Sequence, residues 1–255
     1  MRGPLVRFAA AVRVGWSSSI AFASVGTALT TLVILPVLDI AFDIVMGTDL
    51  SSPDLVATGY AAALVALGVS IAGGVVGAVA SDRMLGIFAE VHTRRRVDPV
   101  YWLSVAFMPT LLGLVTALIG LGAVLALSGG AGLSLFLVAC AAVPAVIACG
   151  FLMGVFAAGI GVGLPDPYLG ATVLGVFLPV LCGVIVPLAS TPAWFQTVAA
   201  AVPMSRLIQA LQAAAPIAPA AALDLAVAGV WAAVGLVAVR VAVARFRAGQ
   251  RAVMP

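Results

Sequence analysis

Long apolar stretches without charged residues dominate this chain and restrict it to one class of fold. Several of them reach about 20 residues, the length that an α-helix needs to cross a hydrocarbon core of about 30 Å. Hydrophobic residues make up 64% of the chain and charged residues only 8%, whereas a water-soluble domain carries about 25% charged residues. Because the chain has too little polar surface to cover a soluble globule, we predict a polytopic membrane protein.

Six apolar blocks are predicted to span the membrane. Each must be helical, because a helix satisfies its own backbone hydrogen bonds in lipid and a barrel would need alternating strands of about 10 residues. The predicted spans cover residues 18–40, 55–80, 103–127, 134–160, 168–188 and 221–243. The expected fold class is therefore all-α, with residues 1–255 forming a single transmembrane domain of six helices.

The arginines indicate how the spans are oriented. All 12 basic residues are arginine, and basic residues concentrate in the cytoplasmic loops of membrane proteins. They precede the first span, lie between the second and third, or lie at or beyond the end of the sixth, with Arg206 as the one exception. Six spans place these three regions on one side. We therefore predict a protein of the bacterial cytoplasmic (inner) membrane with both termini in the cytoplasm.

Three segments are predicted to lie outside the spans. Residues 1–16 carry three spaced arginines among apolar residues, which predicts a short amphipathic helix in the membrane interface; the alternative is a disordered tail. Residues 81–102 are the longest polar stretch and the predicted cytoplasmic loop. Residues 187–219 are apolar but interrupted by prolines, so we predict short broken helices that enter the outer leaflet.

The chain lacks the residues that catalysis would need. A GxxxxGK[ST] phosphate-binding loop requires lysine, and the chain has none, so an ATP-driven role requires a partner. Its only histidine, His92, and its only glutamate, Glu90, do not form a zinc-protease motif. The cysteines Cys140, Cys149 and Cys182 lie in apolar blocks and are interpreted as packing residues. We expect no catalytic residue, cofactor or metal in this chain, and no nucleic-acid partner.

Carboxylates are scarce in the predicted spans, which argues against a proton relay. Asp39 and Asp43 are four residues apart and share a helix face, and they lie at the predicted outer end of the first span. Asp224 similarly begins the sixth span. We interpret these residues as interfacial caps. A place in the translocation path is the alternative.

Two segments resemble a known family. Residues 81–102 read SDRMLGIFAEVHTRRRVDPVYW. They resemble the loop after the second span of type-2 ABC exporter permeases, in which an acid–Arg pair, a glycine, an acidic residue and a threonine precede the third span. Residues 183–206 contain Gly-x-x-x-Pro, Pro-x-Trp and a further Pro, and resemble the external signature of the same family. The resemblance covers essentially the whole chain and is nearest to antibiotic-resistance permeases of the daunorubicin-exporter type.

This resemblance implies the transmembrane subunit of an ATP-driven exporter. It implies a separate ABC ATPase, which would bind ATP and magnesium, and a second copy of the permease in the same bilayer. The substrate would be lipophilic: a drug, a secondary metabolite, a lipid or a hydrophobic peptide. The implied ATPase-coupling residues are Arg83, Gly86, Glu90, Arg94, Arg95 and Arg96. The implied external gate consists of Pro187, Pro192, Trp194, Pro203 and Arg206.

Alternatives remain for the loop and for the function. Arg83 and Glu90 are seven residues apart, so one continuous helix would present both on one face. The three consecutive arginines at 94–96 could instead anchor the loop on anionic lipid headgroups. A secondary transporter or channel-like protein without ATP, and a membrane anchor without transport, are the alternative functions.

Overall fold

A computed structural model describes residues 3–19, 23–49, 54–94, 98–130, 132–184 and 186–247. Within these ranges the ordered elements are all helices, and there is no strand. Five of the helices are long and apolar enough to cross a membrane. These are Val25–Met46, Leu55–Met84, Pro99–Leu127, Leu133–Gly161 and Ile217–Arg245. The predictions of a membrane protein and of an all-α fold are therefore confirmed.

The helices are numbered in chain order. The long helices after the first span are α4 (Leu55–Met84), α6 (Pro99–Leu127), α7 (Leu133–Gly161) and α11 (Ile217–Arg247). The first span consists of α2 (Val25–Leu29), a π-helical turn (Thr30–Ile34) and α3 (Leu35–Asp49). The shorter helices are α1 (Pro4–Ser18), α5 (Ile87–Arg94), α8 (Leu169–Leu181), α9 (Ala193–Ala199) and α10 (Ser205–Gln212). A 3-10 turn covers Leu188–Ser190.

Helix α4 lies at the centre of the bundle. It packs against α3, α6, α7, α8 and α10, while α7 also packs against α11. Its side chains Tyr60, Leu64, Leu67 and Ile71 are completely or almost completely buried, as expected for a helix that is apolar on all sides. The carboxylate of Asp54 begins the helix, because it accepts hydrogen bonds from the backbone N–H groups of the first turn.

Glycines allow the long helices to approach closely. On α7, a Cβ at Gly150 would lie 2.8 Å from the carbonyl oxygen of Gly68 on α4. A Cβ at Gly159 would lie 2.3 Å from the carbonyl oxygen of Gly235 on α11. Small residues at helix crossings are the usual means of close packing in membranes. These positions therefore fix two contacts of the bundle, α4 with α7 and α7 with α11.

The predicted span over residues 168–188 is shorter than expected. Helix α8 has 13 residues, which corresponds to about 20 Å and is less than the roughly 30 Å of a hydrocarbon core. It ends at Leu181, and Gly183 then turns the chain with a φ of 69°. The described residues between this turn and the 3-10 turn are not helical. The described part of the chain thus contains five helices long enough to span a membrane and one short apolar helix, in place of the six predicted spans.

The two ends of the bundle differ in charge. At the arginine-rich end lie α1, α5 and Arg83, together with Arg240 of the last helix. Helix α1 packs on the first half of α6 through Phe8 and Phe107, whose ring centroids are 5.8 Å apart. The guanidinium of Arg7 pairs with the buried carboxylate of Asp98 at 2.5 Å. The segment between α8 and α11 lies towards the other end.

Candidate functional sites at the two ends of the bundle

A short helix at the arginine-rich end has one buried and one charged face. Gly86, with a φ of 77°, turns the chain between α4 and α5 in a conformation that favours glycine. Phe88 and His92 are 1% and 0% exposed, and their rings stack with centroids 4.1 Å apart. Glu90 and Arg94 lie on the solvent side and form an exposed ion pair of 2.9 Å. Helix α5 is therefore anchored on one side and presents charges on the other.

The prediction that Arg83 and Glu90 share one helix face is wrong. Gly86 breaks the helix between them, so Arg83 belongs to α4 and Glu90 to α5. The guanidinium of Arg83 donates hydrogen bonds to the carbonyl oxygens of Gly161 at 3.0 Å and Leu164 at 2.6 Å. It thereby satisfies carbonyl groups at the end of α7 and connects that end to α4.

Three more of the predicted coupling residues lie close to this break. Helix α5 brings Glu90 and Arg94 together, with Gly86 immediately before its first residue. Arg95 and Arg96 lie outside the residues that the structure describes. The described residues thus place three of the six predicted coupling residues on or beside α5, and Arg83 apart from them.

An aromatic cluster behind α5 was missed from the sequence. Rings of Phe88, His92, Tyr101 and Trp102 pack edge to face or stacked, with centroid distances between 4.1 and 6.4 Å. The Nδ1–H of His92 donates to the carbonyl oxygen of Phe88 at 3.0 Å. Burial lowers the pKa of His92, while this hydrogen bond and the charge of Asp98 act in the opposite direction. His92 is therefore a neutral packing residue near pH 7.

Away from the arginine-rich end, residues 192–212 form a helical hairpin that enters the bundle. At its tip, Met204 packs against Gly68, where an added Cβ would lie 2.5 Å from the Met204 sulfur. The indole N–H of Trp231 donates to the carbonyl oxygen of Ala201 at 3.1 Å. Gly68 and Trp231 lie near the middle of α4 and α11. The tip of the hairpin thus lies about halfway along the long helices.

Asp224 attaches this hairpin to the last span. Its side chain is 0% exposed, and its carboxylate accepts hydrogen bonds from the Leu207 N–H at 2.8 Å and from Arg206 at 3.3 Å. Helix α10 has no side-chain cap of its own, because the residue before it, Met204, has no side-chain oxygen that could accept from the first turn. Asp224 therefore caps α10 from another helix and supplies a negative charge where the helix dipole favours one.

The predicted gate residues mark the breaks of this region. Pro187 precedes the 3-10 turn, and Pro192 precedes α9. The carbonyl oxygen of Pro203 accepts from the Cys182 thiol, with sulfur and oxygen 3.8 Å apart. Trp194 is 68% exposed, as suits an amphipathic ring at a membrane interface. Arg206, the fifth predicted residue, lies in the first turn of α10, next to the tip of the hairpin.

Asp39 lies deeper in the first span than the sequence indicated. The prediction placed it at the outer end, but α3 continues to Asp49 and the apolar segment to Met46. Asp39 is therefore about 10 Å from the end of that segment at 1.5 Å per residue. It lines a cleft of about 240 Å³ between α3, α4 and α8. Asp43 lies one turn further along α3, and its side chain is outside the described part of the structure.

No metal centre is evident in the part of the chain that the structure describes. Those residues contain no group of three or more His, Cys, Asp or Glu side chains that could hold a metal ion.

Comparisons with known proteins identify no family for this chain, because no family model, curated protein or solved structure matches it. The class rests on the fold itself. The chain is a multi-span α-helical membrane protein, an architecture consistent with a transporter.

Proposed function

We propose that this chain is the membrane-spanning subunit of an ATP-driven exporter whose ATPase is a separate polypeptide. The observation that carries the proposal is α5. This helix has eight residues, is anchored by Phe88 and His92, and exposes Glu90 and Arg94 on its other face. A short anchored helix with an exposed charged face provides a contact surface for a soluble ATPase.

The anchoring of α5 is suited to transmitting movement to the spans. Helix α5 packs against α4 and α11, and the ring of Phe88 contacts Tyr101 at the start of α6. A displacement of α5 by a bound ATPase would therefore act on three long helices at once. Arg83 adds a fourth, because it joins the end of α4 to the end of α7. Close-packed interiors transmit such displacements with little loss.

The remaining parts of the proposal follow the sequence resemblance. The arginine-rich end would face the cytoplasm of a bacterium, and the hairpin would enter from the outer side. Two copies of the chain would enclose a path for a lipophilic substrate, and two ATPase subunits would bind ATP and magnesium. The hairpin supports an outer gate, because its tip lies at mid-depth and Asp224 connects it to the last span through an ion pair and a hydrogen bond.

The test is association with an ATPase and ATP hydrolysis in sealed vesicles. The chain is co-expressed with an ABC ATPase whose reading frame neighbours its own, where one carries GxxxxGK[ST], and both are reconstituted with wild-type α5 or with Glu90→Arg. We expect Glu90→Arg to weaken association by about fivefold or more, because reversing a charge at an exposed contact costs about 1 kcal/mol. Asp166→Arg is the matched control, since Asp166 is an exposed carboxylate in the nearby turn before α8. Equal behaviour of the two variants, or no ATPase association in the wild type, would refute the proposal.

A second candidate function is ion-coupled transport without ATP. It is favoured by Asp39, an exposed carboxylate within a spanning helix, since ionisable residues at that depth often belong to ion or substrate pathways. Substrate efflux that continues in vesicles without ATP and stops when the ion gradients are collapsed would establish this candidate in place of the first.

A further inference from the structure

The cleft beside Asp39 combines one charge with apolar walls. Its walls come from three elements: α3 contributes Phe42, α4 contributes Val65 and Val69, and the end of the α8 region contributes Pro179 and Val184. Asp39 is the one charged residue among the described residues that line it. Asp39 and Phe42 are exposed, the latter by 63%, so the cleft opens on the side of the bundle. A molecule could enter it laterally from the surrounding lipid.

The depth of the cleft is fixed by two helices independently. Along the first span, Asp39 precedes Met46, the end of the apolar segment, by seven residues. Its neighbour Ile40 is 4% exposed and packs on α6, where a Cβ at Gly120 would lie 2.5 Å from Ile40 Cδ1. Gly120 precedes the end of α6, Leu127, by seven residues as well. Both helices therefore place Asp39 about 10 Å inside the spanning region.

A cation would stabilise a charged carboxylate at this depth. Among the described residues, none forms a hydrogen bond or ion pair with Asp39. Isolated charges in an apolar environment are costly, and intramembrane carboxylates usually pair with another group. Among the described side chains, the walls of the cleft have no second charged group for a divalent metal or an anion. The chemistry of the cleft therefore selects a single positive charge attached to an apolar body.

We propose that this cleft binds a lipophilic monocation, such as an organic ammonium or phosphonium ion, whose charge pairs with Asp39. The apolar body would lie against Phe42, Val65 and Pro179. The inference deepens the proposed function by naming the substrate class, and it rests on that function only for the claim that the bound cation is exported. Binding itself requires neither ATP nor the ATPase.

The test compares two ions of nearly the same shape and opposite charge. The full chain alone is placed in lipid nanodiscs, and equilibrium binding of tetraphenylphosphonium and of tetraphenylborate is measured against empty nanodiscs. We expect saturable binding of tetraphenylphosphonium only. Asp39→Asn should weaken it about tenfold or more, since each tenfold corresponds to 1.4 kcal/mol, and Asp39→Glu should restore much of it. Asp166→Asn, a carboxylate outside the cleft, should leave it unchanged.

The outcomes separate this inference from the proposed function. Equal binding of the two ions by the unmodified chain, or unchanged phosphonium binding by a folded Asp39→Asn variant, overturns the cation site. The comparison of phosphonium with borate binding by the unmodified chain tests the cation site even where Asp39→Asn does not fold. Asp39-dependent binding without ATP-driven efflux of the phosphonium supports the site and contradicts the exporter. ATP-driven efflux of other lipophilic compounds without phosphonium binding supports the exporter and contradicts the cation site.

Discussion

The capping of α10 by Asp224 predicts that this carboxylate contributes strongly to the stability of the hairpin. We expect Asp224→Ala to lower the free energy of unfolding by about 2–4 kcal/mol. Most of the loss comes from the Leu207 N–H, which donates to the carboxylate at 2.8 Å, because a hydrogen bond to a charged group contributes about 1.5–3 kcal/mol. The ion pair with Arg206 adds less. It is longer, at 3.3 Å, and the arginine side chain is 30% exposed.

Two further variants separate the charge from the hydrogen bond. Asp224→Asn keeps an oxygen that can accept from Leu207, so we expect a loss of only about 1–1.5 kcal/mol. In a double-mutant cycle with Arg206→Gln, the effects should not add, with a coupling of about 0.5–1 kcal/mol. The reason is that Arg206→Gln alone leaves the buried carboxylate of Asp224 without its counter-ion. This cost is absent once Asp224 has also been replaced.

The assay is SDS titration in mixed micelles, followed by tryptophan fluorescence. Trp231 contacts Ala201 near the hairpin tip and should respond to its release. Asp166→Ala is the control. That carboxylate also accepts a backbone N–H at 2.8 Å, from Tyr168, but lies in an exposed turn, so we expect a loss below about 1 kcal/mol. If Asp224→Ala destabilises the chain no more than Asp166→Ala, the capping argument is wrong.

Three other outcomes are expected. Gly159→Ala should destabilise the bundle by about 1–3 kcal/mol in the same titration, because its Cβ would meet the backbone of α11, whereas Gly73→Ala, which points into open space, should not. Burial holds the pKa of His92 below its ordinary 6.5, so the unfolded chain binds the proton at a higher pH than the folded chain does. The free energy of unfolding should therefore fall as pH decreases below about 6.5, and His92→Gln should abolish this dependence on pH. In a cysteine-free background, cysteines at Thr93 and Ser190 should be labelled from inside and outside sealed cells respectively; external labelling at Thr93 would contradict the orientation.

Most of the spans could be predicted from the sequence because apolar length is a strong signal. Blocks of about 20 residues or more have few other uses in a folded chain. The same signal failed for residues 168–188, since an apolar block does not distinguish a full span from a short helix followed by a turn. It also misplaced Asp39. A charged residue suggests the end of a span, but here the helix continues to Asp49.

The details of the sites depended on contacts that the sequence does not encode locally. Asp224 and the start of α10 are separated by 17 residues and lie on different helices, so no helical periodicity relates them. The break between Arg83 and Glu90 was within reach, because a glycine in a polar segment is a common helix terminator. The positive φ of Gly86 turns the chain between the end of α4 and the start of α5.

The central helix connects the features on which both proposals depend. Its last turn carries Arg83 and is followed directly by α5, and its middle residue Gly68 contacts Met204 at the tip of the hairpin. Val65 and Val69, which flank Gly68 in the sequence, line the cleft with Asp39. The cleft and the hairpin tip both contact the same turn of α4. A shift of this helix would therefore change the shape of the cleft and the position of the hairpin tip together. In an exporter, this arrangement would couple occupancy of the cleft to the position of the gate through one rigid element.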